Sequence, residues 1–598
     1  MTLLAKMQGL CSAFLLTALT ARYAVAEPME LSPLEQSLVA ETLETRKLEL
    51  DPAPEGKWIE SIEVRRVEVF DERDPVPDLL NVFHTTSREA VIRHEFLFEV
   101  GDRYSQAKAD EIARNLRAHP QLSVVLVVTA RGSAPDRVRV IVITKDVWSI
   151  RLNWNVQSAN GHINYLLLNP SETNAVGAHA LVGGLLVLDP GAVSTGLQFA
   201  HRPLGTHIQG SADASLVWNR STGAEEGSYG DLRYGLPLYA LDTRWAWGTS
   251  FLWRYDVSRR FVDVSLARYD AKVTPGNDGI PIQFHRDRLY GGYQLTRSFG
   301  RRFKCDLSLG AEADRRVYRP FELSAYDPRA ALEFVNNQLP VSDQRISPFA
   351  QLHAHRSDFD SRLEIETLGL QEDYQRGYDL LLRAYPASTH VGSSRDLIGT
   401  EAALSYTFPL GDGLVLPLVG SRLEYAAHSR DYALALAQLR AVSPRTGLGR
   451  FVLDGLVLDR FHNYLNRRNI LGGEGRLRGY PVGAFAGADQ VSLNAEFRTR
   501  SVDIWSAQVG AGLFYDLGDA ADRVRDFRVK QSVGAGLRVL FPELDRLIFR
   551  LDWGFPLTPG YRVPLGAVFV AFGQAFDVPA VPVPNVTTAL LEGSSLLE

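Results

Sequence analysis

The stretch Arg244-Trp-Ala-Trp-Gly-Thr-Ser-Phe-Leu-Trp-Arg-Tyr-Asp256 sets Trp245, Trp247, Phe251, Trp253 and Tyr255 on one face of an extended chain. Arg244, Ala246, Gly248, Ser250, Arg254 and Asp256 fall on the other, and Leu252 is the exception. A period of two is the side-chain alternation of a β-strand. In a water-soluble sheet the bulky face would be a core. The same alternation recurs in Val262-Asp-Val264-Ser-Leu266-Ala and in Leu547-Ile-Phe549-Arg-Leu551-Asp-Trp553. Bulky residues on one face, charged residues on the other and long polar connections fit lipid outside and water inside. Beyond the N-terminus the chain has no run of roughly 18 apolar residues, so no helical span is expected. Without helices, only strands closed into a barrel satisfy every backbone group in a bilayer.

The chain has 598 residues, too many for one ordinary soluble core, and a small domain plus a large barrel is the natural division. Its net charge of −6 gives no basis for nucleic-acid binding. Lys6, the apolar run Leu10 to Leu19 and Ala24-Val25-Ala26 before Glu27 read as a secretory signal peptide over residues 1–26. The run is too short and wrongly flanked for a spanning helix. Cys11 lies inside it and would be removed. Cys305 then remains alone, and the mature chain has no intrachain disulfide to form.

Between the leader and the barrel lies one compact module. Trp58 to Phe70 reads as a strand. Thr86 to Phe98 carries Val91, Ile92, Leu97 and Phe98 in a helical pattern, with Ser87 as a cap and Glu89 and Glu95 along it. Gly101 to Ser105 turns into a second helix, Ser105 to Arg117, in which Ile112 and Leu116 are one turn apart. The strands Leu122 to Thr129 and Arg137 to Thr144 follow, separated by the turn Arg131 to Asp136. The order is β-α-α-β-β, and Thr144 to Ser149 runs directly into the first barrel strand.

Late in the chain, Leu471-Gly-Gly-Glu-Gly-Arg-Leu-Arg-Gly-Tyr480 lies in a long connection. One reading is a solvated glycine-rich loop; the other folds it back into the lumen and docks Arg478 on acidic wall residues. Two segments supply the acids. In Gly487 to Arg498, Val491, Leu493, Ala495 and Phe497 alternate with Ser492, Asn494, Glu496 and Arg498, so Glu496 points into a polar lumen. In Gly510-Ala-Gly-Leu-Phe-Tyr-Asp-Leu-Gly518, Asp516 shares a face with Phe514, Gly512 and Gly510.

Arg478-Gly479-Tyr480 resembles the Arg-Gly-Phe/Tyr loop tip of the bacterial outer-membrane assembly and translocation superfamily, which includes BamA, TamA and the two-partner secretion transporters. Asn494-Ala-Glu496-Phe-Arg498 is similar to its Asn-x-Glu-x-Arg strand, and Phe514-Tyr-Asp516-Leu-Gly518 to its Phe-x-Asp-x-Gly strand. Val568 to Phe576 resembles its closing strand, and the β-α-α-β-β module resembles a POTRA domain. The resemblance implies a transmembrane antiparallel β-barrel of sixteen strands over residues 148–576, behind an N-terminal segment (27–57) and one periplasmic POTRA-like domain (58–147). A flexible tail (577–598) follows. Leu31, Leu34, Leu38 and Leu43, at helical spacing within Glu30 to Lys47, form either a periplasmic amphipathic helix or a plug threaded through the barrel. The connection to Trp58, about ten residues or at most roughly 35 Å, is short for a plug and favours the former.

The implied function is assembly or insertion of outer-membrane proteins, with export of one cognate protein through the lumen as the alternative. The implied partners are unfolded outer-membrane or secreted client proteins, membrane lipid and accessory lipoproteins. The chain has no G-x-S-x-G, H-E-x-x-H or P-loop motif, so no enzymatic activity and no cofactor are expected. Its 13 histidines are scattered, with His84 and His94 on different segments of the module, and packing roles are expected rather than a metal.

Overall fold

The computed structural model describes residues 31–70, 84–428, 431–561 and 563–575. Residues 1–30, which include the expected signal peptide, the segment from Phe576 and most of the connection after Phe70 lie outside them.

The N-terminal module begins with helix α1 (Pro33–Arg46), started by a capping box in which Ser32 and Glu35 exchange hydrogen bonds. Strand β1 (Trp58–Val67), helices α2 (Glu89–Arg93) and α3 (Gln106–Arg117), and strands β2 (Leu122–Arg131) and β3 (Arg137–Asp146) follow. The sheet order is β1-β3-β2, with β1 parallel and β2 antiparallel to β3. The central strand is apolar on both faces, as burial on both sides requires. Val138, Val140 and Val142 pack under Ile92, Ile112 and Leu116 of α2 and α3. Ile141 and Ile143 pack on the opposite face with Leu38 of α1. That second core takes in Leu368, Leu370, Leu540 and Ile548 from the barrel rim. Helix α1 is therefore a layer of the module, packed on its sheet. The first of the two short helices is shorter than its sequence pattern suggests. Arg88 stands at its N-cap without a side-chain bond, while Ser87 is buried and donates its backbone N–H to Asp146 at 2.6 Å.

From Ile150 to Phe572 the chain forms a closed antiparallel barrel of twenty strands, not sixteen. The difference lies in compact turns. Seven strands are complete by Arg259, joined by connections as short as residues 160–161. The count stays even, so both barrel ends leave from the rim that carries the module. Trp245–Arg259 is a strand that turns Trp245, Phe251 and Tyr255 outward and buries Ala246 and Asp256. Val262 and Leu266, in contrast, belong to a two-residue hairpin within a loop, with Asp263 at φ 59°. Outward-facing Leu197, Phe199, Tyr234, Tyr293, Leu309, Leu513 and Trp553 are exposed, and no described helix is long and apolar enough to cross a membrane.

The lumen is not uniformly polar. Leu414, Leu416, Leu418, Leu434, Leu436 and Leu458 face inward and are buried with Ile365 and Tyr374 of the rim connection 357–376. The barrel closes through Ala567–Phe572 against Ile150–Ala159 with four registered pairs, from Ala567↔Ala159 to Val570↔Val156. The hairpin Gln283–Phe299/Phe303–Pro320, by comparison, carries sixteen.

Candidate functional site

The connection between strands Gly449–Asn463 and Asp489–Thr499 enters the lumen and places Arg478 fully out of solvent. Its guanidinium donates to Asp516 from Nε and Nη2, each at 2.9 Å, in a two-pronged pair. Nη1 donates to Glu496 Oε2 at 2.6 Å and to Asp552 Oδ2 at 3.2 Å. The Arg478 backbone N–H adds a bond to Asp516 Oδ2 at 3.0 Å, and Phe514 lies under the guanidinium with 3.7 Å from Cζ to the ring centroid. A planar fork stacked on an aromatic ring and clamped by carboxylates is geometry that lysine cannot reproduce.

The acids are shared with further arginines of the wall. Arg538 reaches Glu496 at 3.0 Å and Asp552 at 2.6 Å; Arg550 reaches Asp552 at 2.8 Å; Arg498 reaches Glu496 at 3.1 Å. Glu474 of the loop joins the set by accepting from Arg550 at 3.1 Å. Four arginines thus face these four carboxylates, and Glu366 approaches Arg498 as well, at 3.9 Å. Such a network adds little net stability over an apolar core, but loss of one member strands the others. Its role is to fix one position for the loop.

The wall leaves room for this approach. A Cβ on Gly554 would collide with the Arg478 carbonyl oxygen, and one on Gly536 with the Asp552 carboxylate. A Cβ on Gly479 would strike Ser532 and the Phe555 backbone, so the loop glycine is needed for contact with the wall. Tyr480 is buried, donates its hydroxyl to the Gln531 carbonyl at 3.0 Å and packs edge-on against Phe485 and Tyr561.

The structure thus gathers Arg478, Glu496, Phe514 and Asp516 at one point, with Gly479 and Tyr480 seating the loop beside them. Asp552, Arg538, Arg550 and Glu474 are members that the sequence reading did not single out. Period-two alternation in Phe549–Pro556 puts Asp552 on the inward face, which was the available signal. Glu474 also accepts from Asn155 of the first strand at 2.9 Å. One loop carboxylate therefore links Phe549–Pro556 to Ile150–Ala159, across the inside of the four-pair seam.

The module docks on the rim through polar side chains. Arg117 of α3 pairs with Asp373 at 2.7 and 2.8 Å, and Leu241 N–H donates to Glu111 at 2.6 Å. His179, in the turn after the second barrel strand, meets His119 at 3.3 Å and Ser87 at 2.8 Å; His119 meets Glu95 at 3.2 Å. His94 stacks on His207 with centroids 4.1 Å apart, and His84 contacts Ser149 at 3.3 Å.

No family model matches the chain, and no curated protein sequence matches it. Solved structures similar to it include BamA from Haemophilus ducreyi lacking POTRA domains 1–3, at 12% identity over 92% of this chain and 96% of that one, with a TM-score of 0.35. CdiB from Acinetobacter baumannii is similar at 12% identity over 87% of this chain and 74% of that one, with a TM-score of 0.39. CdiB from Escherichia coli is similar at 11% identity over 91% of this chain and 85% of that one, with a TM-score of 0.41.

Proposed function

We propose that this chain is an outer-membrane assembly factor that inserts β-barrel or related client polypeptides, with its N-terminal module in the periplasm. The observation that carries the reading is the seam. Ile150–Ala159 and Ala567–Phe572 share four registered pairs, and residues 150–155 have no registered partner on the last strand. An unpaired strand edge is a template for another strand, because main-chain hydrogen bonding accepts many sequences. The Arg478 loop holds Glu474 across the inner side of that seam, so the wall stays closed behind an edge that can open.

Insertion is favoured over export through the lumen by what fills the lumen. The Arg478 loop occupies one part of it, and the rim connection 357–376 lies against inward-facing Arg450 and Arg498, which donate to Leu363 and Ile365 carbonyls at 3.3 and 2.9 Å. A chain threaded through the barrel would have to displace both.

The test locks the seam. Ala159 and Ala567 are registered partners, so Ala159→Cys with Ala567→Cys, in a Cys305→Ser background, should crosslink on oxidation. Proteoliposomes carrying the oxidised protein should fail to insert a barrel client, and reductant should restore insertion. Undiminished insertion with the crosslink shown to be closed would refute the seam mechanism. Depletion in cells separates the two activities: broad loss of outer-membrane barrels marks insertion, and loss of one secreted protein marks export.

A further inference from the structure

We infer that Asp306, His353 and His355 form a binding site for a divalent first-row transition metal, of which zinc is the model, on the inner wall near the module-bearing rim. Asp306 and His353 are registered partners on the adjacent strands Phe303–Pro320 and Asp343–Arg356, and the His-x-His spacing puts His355 on the same inward face. Asp306 Oδ2 lies 3.7 Å from His353 Nδ1 and 4.0 Å from His355 Nδ1. One ligand atom from each residue lies within 4.8 Å of the other two. Zinc bonds of about 2.0–2.1 Å in a tetrahedral arrangement require ligand atoms roughly 3.4 Å apart, so side-chain movements of up to about 1 Å form the site.

Two observations point to a cation as the ligand of this cluster. Asp306 Oδ1 and His355 Nδ1 are buried polar atoms without a hydrogen bond of good geometry, the Ser298 hydroxyl beside Asp306 is likewise unbonded, and the Asp306 side chain is only 7% exposed. An unsatisfied carboxylate oxygen beside an unsatisfied imidazole nitrogen is costly unless something binds both. The second observation is orientation. His353 Nε2 contacts Asp379 Oδ2 at 2.9 Å on the third strand, Gly377–Ala387. A carboxylate at Nε2 fixes the ring with Nδ1 turned toward Asp306, the arrangement by which outer carboxylates orient metal-binding histidines, and a metal would take the place of any proton on Nδ1. The nearby ammonium of Lys304 is engaged, donating to the Leu241 carbonyl at 2.8 Å.

Nitrogen and oxygen donors from two histidines and one aspartate suit zinc and its neighbours rather than calcium or magnesium. Three protein ligands leave one tetrahedral position for water or another ligand. The ion would staple two adjacent strands directly and a third through Asp379. The Leu241 turn that binds Lys304 also donates to Glu111 of α3, so the staple lies next to the docked module.

Tag-free, full-length protein in detergent micelles should bind one equivalent of Co²⁺, with the visible absorption bands of a tetrahedral ion, and zinc should displace it. X-ray absorption of the zinc-loaded wild type should show two imidazoles, oxygen and no sulfur. Asp306→Ala and His355→Ala should each weaken binding by more than tenfold. Asp379→Asn should weaken it about 10–100-fold without changing stoichiometry. His119→Ala with His179→Ala, at the other histidine cluster, should leave it unchanged. Gel mobility of unheated samples establishes that each variant is folded; for one that is not, the wild-type absorption spectrum decides alone. Failure of the wild type to bind would show that His353 is an imidazolium bridging Asp306 and Asp379, and would overturn the proposal. Equal binding by folded Asp306→Ala, or sulfur in the coordination shell, would overturn it as well.

Discussion

Arg478 holds its loop with a guanidinium that stays charged at any accessible pH, in a setting where its side chain and those of Glu496, Asp516 and Asp552 are all 0% exposed. The N-terminal module is held to the rim differently. Arg117 and Asp373 remain slightly wet, at 8% and 10%, and four histidines contribute to the same interface. The first contact is dry and its cation keeps its charge; the second is wetter and is built partly from histidines. The difference suits the proposed roles. A loop bracing the wall beside a seam must not come free when the seam opens, whereas a module that receives clients gains from a contact that can loosen.

The largest effect should come from breaking the dry contact. Arg478→Ala takes the arginine from the buried Asp516 carboxylate, while Glu496 and Asp552 keep Arg498, Arg538 and Arg550; breaking a buried pair typically costs about 3–5 kcal/mol. The barrel should still form, the loop should become protease-sensitive, and client insertion should collapse. Arg478→Lys should rescue only in part, and Asp516→Asn combined with Arg478→Ala should be less than additive, because the two act as one unit. Full additivity would mean the loop is not held by this pair. Gly554→Ala sharpens the same point without touching a charge. Its Cβ collides with the Arg478 carbonyl, so it should expel the loop at about 1–3 kcal/mol, as overpacking does. A normal Gly554→Ala protein would show that charge alone seats the loop.

Much of this lock was legible in sequence because it depends on period-two alternation and on glycines, both local signals. Glu496 and Asp516 fell on the inward face by counting. Asp552 followed the same rule but stood in a segment read for its aromatic face. The strand number was not legible. Sixteen came from the resemblance; the Asn160-Gly161 turn, at φ 52° and 81°, is a hairpin signal that the sequence did carry, but one such turn does not count the crossings. Val262 to Leu266 shows the converse, since alternation over five residues cannot distinguish a membrane strand from a loop hairpin. The His353-Ala-His355 spacing was present, but its meaning depends on Asp306 and Asp379 from neighbouring strands. Register between strands is a long-range property that a linear scan does not contain.

A smaller effect is expected at the rim. Arg117→Ala removes a two-pronged pair with Asp373 and a bond to the Val125 carbonyl at 3.2 Å. Hydrogen bonds to charged groups contribute about 1.5–3 kcal/mol, and partial exposure places this pair toward the lower end. Hydrogen exchange should speed up in residues 88–119 while the Arg478 loop stays protected. Equal deprotection of both regions would mean that the two contacts are one cooperative unit.

The smallest effect is the response to acid, and its sign follows from two groups at the rim. Burial, reinforced by the neighbouring His119 and Arg202 charges, pushes His179 down to about 3, so it is neutral while the module is docked. Released into water it would titrate near 6.5, so the undocked state binds more protons between those values. The contact contributed by His179 is therefore fully present above pH 6.5 and is lost as pH falls toward 3. Glu95 acts in the same direction. Burial raises its pKa, but the bond to His119 and the charges of His119, Arg202 and His207 outweigh that and hold it below its ordinary value. Its partner His119 lies in the same module, so only the Arg202 and His207 charges across the interface tie its protonation to docking. Ser87 and Asn174 also face this cluster but carry no charge. Each fully titrating group contributes about 1.4 kcal/mol per pH unit at most. Lowering pH from 7.5 to 5 should therefore deprotect residues 88–119 by up to roughly thirtyfold in hydrogen exchange, corrected for intrinsic rates, without freeing the Arg478 loop. His179→Gln, which cannot charge, should flatten that response. If the wild type shows no acid response, or His179→Gln retains it in full, the histidine contact does not govern docking and the contrast with the arginine lock fails.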